Sequence, residues 1–237
     1  MIQEEEKEST FGEIMGWLGL TVSMYFFISP IVPYMKLMRE KISYSDTPGV
    51  LLICSFMNCI LWAVYGIRKE KQQVYLANSL GGSITLIWIV IFLIFYGKKI
   101  IWISGFYCLF LIGVVSGINL LCFYIIPNDY VGYSAMVFNI LMYAAPGEKM
   151  MRVFKTGNYE LIPIFSNVGA LVNSILWLTY GIYLHDPAII VPNALGVVFG
   201  VLNSAVYLCF CCKSKGTEEN KMKVEKEGSG QNDGETV

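Results

Sequence analysis

Charge is what this chain has least of. Only 15% of its 237 residues are Asp, Glu, Lys or Arg, against about 25% in ordinary soluble domains. None falls within 14–35, 49–67, 73–97, 100–128, 130–147, 161–184 or 187–212. The buried acids that proton- or sodium-driven carriers keep in their path are therefore missing. Histidine is almost missing too: His185 stands alone, beside Asp186. Without a nucleophile–base pair or a cluster at metal-ligand spacing, no enzymatic activity, metal or cofactor is expected. No nucleic-acid partner is expected either. There is no Asn-x-Ser/Thr sequon, so N-glycosylation is not expected. Met1–Glu13 is too acidic, and the apolar run after it too long, for a signal peptide.

What fills the gaps is hydrocarbon. The chain is 55% hydrophobic, with a mean hydropathy of +0.56. Its seven uncharged runs are close to or above the length that crosses roughly 30 Å of lipid. They are continuous rather than alternating, so they read as helices and not barrel strands. The expected spans are about 14–35, 47–67, 73–97, 100–126, 131–152, 161–184 and 188–212. With the N-terminus outside, 13 of the 17 Lys and Arg fall in inner loops or the tail. The positive-inside rule therefore predicts N-out, C-in. The basic loop Arg68-Lys69-Glu70-Lys71 lies on the outer side against that trend. Residues 213–237 are polar and of mixed charge and are expected to be disordered. Cys209, Cys211 and Cys212 stand at the inner mouth of the last span, where membrane-edge cysteines can carry palmitate.

The chain also repeats itself. Moved forward by 115, residues 48–81 match at 11 of 34 positions, among them Pro48/Pro163, Asn58/Asn173, Trp62/Trp177, Tyr65/Tyr180, Asn78/Asn193 and Gly81/Gly196. Before the first inner loop the offset is 116, pairing Phe26 with Met142 and Pro30 with Pro146. Spans one to three thus correspond to five to seven. Three spans end on the side opposite their start, and span four crosses back. The two triplets are therefore parallel, related by an axis along the membrane normal. The expected organisation is an extracellular segment 1–13, a first triplet 14–97, a linker 98–128, a second triplet 129–212 and a cytosolic tail 213–237.

Depth sorts the matched residues. Trp62 lies six residues before Arg68, and Asn78 seven after Lys71. At about 1.5 Å per residue both sit roughly 10 Å inside the outer charges, and Trp177 and Asn193 fall at similar depth. A carboxamide in hydrocarbon needs partners, and a matched quartet at one depth points to a binding site. Indole faces pack on C–H surfaces, and carboxamides both donate and accept. That suits an uncharged polyol; anions or cations would need charges that are absent. Asn58 and Asn173 lie one turn deeper on the same face. Pro30, Pro48, Pro146 and Pro163 bracket the inner loops. Pro48 and Pro163 can simply begin helices; Pro30 and Pro146 predict kinks and a hinge. Asp186 is a candidate for an outer gate. The lack of a coupling acid predicts passive transport.

These residues resemble the SWEET (MtN3/saliva) sugar transporter family, for which parallel repeats are characteristic. The likeness is carried by Met142-Tyr143-Ala144-Ala145-Pro146, Leu176-Trp177-Leu178-Thr179-Tyr180-Gly181 and Asp186 with Pro192-Asn193-Ala194-Leu195-Gly196. The first repeat adds Ser29-Pro30, Leu61-Trp62, Tyr65-Gly66 and Asn78-Ser79-Leu80-Gly81. The resemblance implies an all-α membrane protein of seven spans in a 3+1+3 arrangement. It implies two-way sugar uniport by alternating access, and self-association, for which the sequence shows no interface. The family's sugar-binding set falls on Trp62, Trp177, Asn78 and Asn193. Its size-selecting positions fall on Phe26, Asn58, Met142 and Asn173, whose bulk favours a monosaccharide such as glucose. The nearest rival is a PQ-loop carrier for amino acids or cystine. Its Pro-Gln pairs are absent: Ile31 follows Pro30 and Gly147 follows Pro146. A seven-helix receptor would lack the parallel duplication.

Overall fold

The computed structural model describes residues 2–29, 31, 49–95, 113, 117 and 127–230. Among them all regular structure is helical: α1 (Ile2–Ile28), α2 (Gly49–Arg68), α3 (Gln72–Phe95), α4 (Asn128–Met142), α5 (Ala144–Thr156), α6 (Ile164–Tyr183), α7 (Pro187–Gly230) and a 3₁₀ turn at Tyr159–Leu161. Three of the described helices are long and apolar enough to cross a membrane: α1, α3 and α7, over Thr10–Ile28, Gln72–Phe92 and Pro187–Ser214. Most of the expected span four lies outside the described residues, as do Pro30 and Pro48.

The six long segments close into a ring. α2 packs on α3, α3 on α1, α1 on α6, α6 on α7, α7 on α4, and α4 on α2. Each triplet contributes three consecutive members of that ring. Among the described residues the two triplets meet chiefly along two walls, α1 against α6 and α2 against α4, which are equivalent under the repeat. A cavity lies inside the ring.

Local chemistry is repeated along with the sequence. α2 and α6 both end in a turn with one residue in left-handed backbone, Glu70 at φ 55° and His185 at φ 50°. In each, an amide N–H reaches back to a glycine carbonyl, Lys71 to Gly66 at 2.7 Å and Asp186 to Gly181 at 3.0 Å. These bonds cap helix carbonyls that would otherwise be orphaned. The shared turn sets each third helix antiparallel to its neighbour.

The expected span five is broken. α4 stops at Met142, Tyr143 forms a turn, and α5 starts at Ala144. Pro146 is the cause: it has no N–H for the carbonyl of Met142, four residues back. The Tyr143 N–H tightens onto Ile140 O at 3.0 Å instead. Pro163 directly precedes α6 as its N-cap and begins a helix rather than kinking one. α1 starts at Ile2, so the N-terminal segment is helical. Its early glutamates suit the positive end of the helix dipole.

The tail differs from expectation. α7 runs to Gly230, through residues 213–230 that composition marks as disordered. Lys and Glu are good helix formers, and pairs such as Glu219/Lys223 sit four apart, so an emerging helix can propagate without a core.

Candidate functional site

The ring encloses a cavity of about 170 Å³, far more than the roughly 10–15 Å³ that one water occupies on this measure. Twelve of its fourteen lining residues are repeat pairs: Ser23/Asn139, Phe27/Tyr143, Asn58/Asn173, Trp62/Trp177, Val74/Ile189 and Asn78/Asn193. Ala77 and Ser174 complete it. Among the described residues, no charged side chain lines it.

Six of the eight binding residues named from sequence meet here: Trp62, Trp177, Asn78, Asn193, Asn58 and Asn173. Phe26 and Met142 do not line the cavity. Phe27 and Tyr143, each one residue on, take those places, because one step along a helix turns a side chain about 100°. Phe26 points toward Gly169 on α6, where an added Cβ would lie 2.9 Å from its ring. Ser23 and Asn139 were not anticipated. The signal existed: both are polar, inside apolar runs, and separated by the offset of 116.

Backbone anchors fix Asn78 and Asn193. Asn78 Nδ2 donates to Val74 O at 2.8 Å, and Asn193 Nδ2 donates to Ile189 O at 2.7 Å. A backbone carbonyl only accepts, so the amide nitrogen of each must face the helix. Each carboxamide oxygen and second N–H then remain for a ligand. The two indoles are buried, and each packs edge-on against the tyrosine three residues later, with centroids 5.6 Å apart in both.

Those tyrosines close one end of the cavity. Tyr65 and Tyr180 are each 2% exposed. Tyr65 OH donates to Asp186 Oδ2 at 2.6 Å, and Tyr180 OH donates to Gln73 Oε1 at 2.9 Å. Each bond leaves one triplet and lands at the start of the other triplet's third helix. Asp186 is held by a further bond from the Ala188 N–H at 3.1 Å. Glycine makes the layer fit. A Cβ on Gly132 would lie 2.6 Å from the Tyr65 ring, and one on Gly16 2.8 Å from the Tyr180 ring. Small residues let membrane helices approach this closely.

At the opposite end, Trp88 Nε1 donates to Phe27 O at 2.8 Å. Tyr143 OH donates to Pro192 O at 2.9 Å, and its ring stacks on Phe199 at 5.3 Å. The two Tyr143 contacts fix its ring at the helix break.

The two walls are not equivalent. On the α1/α6 wall, Trp177 Nε1 donates to Ser23 Oγ at 3.0 Å, and Ser23 Oγ donates to Asn173 Oδ1 at 2.9 Å. On the α2/α4 wall, Asn139 stands where Ser23 does, and among the described residues no such relay forms. There the Asn58 Oδ1 is buried without a hydrogen-bond partner. An unpaired buried acceptor costs about 1–3 kcal/mol.

A family model described as "Sugar efflux transporter for intercellular exchange" matches the chain twice, over residues 13–100 and 129–215. The chain belongs to this family. Bidirectional sugar transporter SWEET1 of Arabidopsis thaliana is 28% identical over 206 residues, 84% of this chain and 83% of that protein. SWEET1a of Oryza sativa subsp. japonica is 29% identical, over 82% of this chain and 74% of that one. A solved structure of a eukaryotic SWEET transporter superposes with a TM-score of 0.80 at 21% identity, over 86% of this chain and 99% of that one. The fold is therefore the SWEET fold of seven membrane helices in a 3+1+3 arrangement. The family membership selects a SWEET over a PQ-loop amino-acid carrier, and makes the chain an integral membrane protein.

Proposed function

We propose that this SWEET-family chain carries small neutral sugars, with glucose as the first candidate, in both directions by facilitated diffusion. One observation carries the reading: a cavity lined by repeat-paired indoles and carboxamides, with no charged side chain among the described residues. Indoles suit the C–H faces of a pyranose, and carboxamides suit its hydroxyls. The matched relatives are named as bidirectional sugar transporters, which supports the same substrate class. The narrowing rings of Phe27 and Tyr143 favour a monosaccharide.

Alternating access follows from the two ends. Tyr65–Asp186 and Tyr180–Gln73 act as the gate on the extracellular side, with the N-terminus outside and the plasma membrane as the site of action. The break before Pro146 gives the hinge that lets the cytosolic halves of the helices move, a role the repeat extends in sequence to Pro30, which lies outside the described residues. Pro163 starts a helix that this movement pivots on, and Pro48 is assigned the same role from the repeat alone. The protein is a transporter and not an enzyme.

The test is uptake of labelled glucose, fructose, sucrose and amino acids into proteoliposomes with no imposed ion gradient. Saturable glucose uptake and trans-acceleration are expected. Strict dependence on a proton gradient would refute uniport; uptake of amino acids without any sugar would refute the substrate class.

A further inference from the structure

We propose that Cys212 and Cys209, where α7 leaves its apolar span, are S-acylated with long-chain fatty acid, and that Cys211 between them is not. This goes beyond the transport reading above and rests on it only for the side of the membrane on which the tail emerges.

The rotation of α7 decides which thiols are available. Two aromatic contacts fix its inner face near the end of the span. The Tyr207 ring meets Tyr159 at 5.4 Å, and the Phe210 ring meets Phe154 of α5 at 5.7 Å, both edge-on. Asn203, one turn earlier on that face, is 3% exposed. The outer face is apolar and open: Val198, Val201, Leu202 and Leu208 are between 46% and 59% exposed. Apolar side chains recurring every three or four residues form one stripe of a helix, and here that stripe faces outward, to lipid. Each residue turns the helix by about 100°. Cys209 and Cys212, three apart, therefore continue the outer stripe, and both are exposed. Cys211 stands on the flank next to Phe210 and is half-buried. All three thiols are free.

Depth completes the argument. Residues 187–212 carry no charge, and Lys213 and Lys215 follow at once. The apolar span ends at Ser214. Cys212 thus stands at the boundary between hydrocarbon and headgroups, with Cys209 about 4.5 Å deeper. An acyl chain on either sulfur runs directly into lipid along the stripe of Val201, Leu202 and Leu208, and away from the sugar cavity. The donor is a fatty acyl-coenzyme A thioester, used by a membrane S-acyltransferase on the cytosolic face. The cysteine sulfur attacks the acyl carbonyl carbon. A new S–C bond forms, the S–C bond to coenzyme A breaks, and the proton lost by cysteine ends on the coenzyme A thiol. Nothing is oxidised or reduced.

The test is acyl exchange on the full-length protein, with an epitope on its tail, expressed in cultured eukaryotic cells fed alkynyl palmitate. Free thiols are blocked, thioesters are cleaved with hydroxylamine, and a polyethylene glycol maleimide adds one mass step per released thiol. Wild type should show two hydroxylamine-dependent steps. Cys209→Ser and Cys212→Ser should each show one, the double variant none, and Cys211→Ser still two. Alkynyl palmitate in the double variant should fall to background. Its sugar uptake and amount in the membrane should match wild type, which separates loss of the acyl site from misfolding. No label in wild type, steps that survive in the double variant, or a step lost in Cys211→Ser would overturn the proposal. The epitope should bind antibody only after the cells are permeabilised. Binding to intact cells would sink both the proposal and the orientation, whereas sugar uptake by unlabelled wild type would leave the transport reading standing.

Discussion

The two walls between the triplets are copies that are tied in different places. The α1/α6 wall is fastened at mid-depth, by the relay from Trp177 through Ser23 to Asn173. Among the described residues the α2/α4 wall has no such fastening in the middle. It carries instead an ion pair at the end of the cavity closed by tyrosine: Lys69 Nζ to Asp129 Oδ1, 2.7 Å. The equivalents of that pair on the other wall are Leu184 and Glu13, which cannot form one. A duplicated protein thus keeps the indoles and carboxamides of its cavity paired while their hydrogen bonding differs between the walls. One wall is held beside the cavity; the other is tied at the end closed by tyrosine.

The largest effect is expected where the two halves are alike. Asn78 and Asn193 are anchored by the same bond in both triplets. Replacing either with Ala should reduce sugar uptake by roughly 10- to 100-fold, the range of about 1–3 kcal/mol for a lost buried polar contact. Amounts of protein in the membrane should be unchanged. Similar losses at both positions would show that the shared layer works as a unit. Normal uptake in Asn193→Ala would remove the binding quartet altogether.

The next effect separates the walls. Ser23→Ala strands the Trp177 N–H and the Asn173 oxygen, and should lower ligand-free stability by about 1–3 kcal/mol. Asn139→Ala breaks no described hydrogen bond and should lie within about 0.5 kcal/mol of wild type. Thermal unfolding in detergent without sugar makes the comparison. Equal destabilisation would mean that the α2/α4 wall is fastened as firmly as its copy. Within the same series, Asn58→Val removes an oxygen that has no partner. It should be neutral or stabilising by up to about 1 kcal/mol, whereas Asn173→Val deprives Ser23 of its acceptor and should destabilise.

How much of this was legible in the sequence depends on the kind of information needed. The repeat, its parallel sense and the meeting of Trp62, Trp177, Asn78 and Asn193 all follow from offset and depth, which a sequence carries directly. The choice between Phe26 and Phe27 does not. It turns on helix rotation near a proline, where a single residue moves a side chain off the cavity. Ser23 and Asn139 lay in view as a polar pair at the offset of 116, but they differ in type, and an identity search passes over them. The partners of Tyr65 and Tyr180 were out of reach, since Asp186 and Gln73 are not equivalent positions; the counterpart of Asp186 is Lys71. The helix continuing from 213 to 230 went unforeseen because mixed charge with glycine reads as disorder, while its Lys/Glu spacing also suits a helix.

The smallest effect belongs to the ion pair at the mouth. Both of its side chains are partly open to solvent, at 32% and 65% exposure, and such pairs contribute about 0.2–1 kcal/mol. Lys69 follows α2 and Asp129 lies in the first turn of α4, so the pair spans the wall between the triplets at the end where Tyr65 and Tyr180 form the proposed gate. If it favours the closed gate, Lys69→Gln or Asp129→Asn should speed opening at that end by up to about fivefold. Raising the salt should do the same in wild type through screening, and should do nothing further in either variant. The double variant Lys69→Asp with Asp129→Lys should restore wild-type rates if attraction alone matters. Exchange rates measured from each side of the membrane, at low and high salt, read this out. Because the α1/α6 wall has no such pair, the salt response should vanish completely in Lys69→Gln; a response that persists would place the ionic tie somewhere other than the wall that lacks a relay.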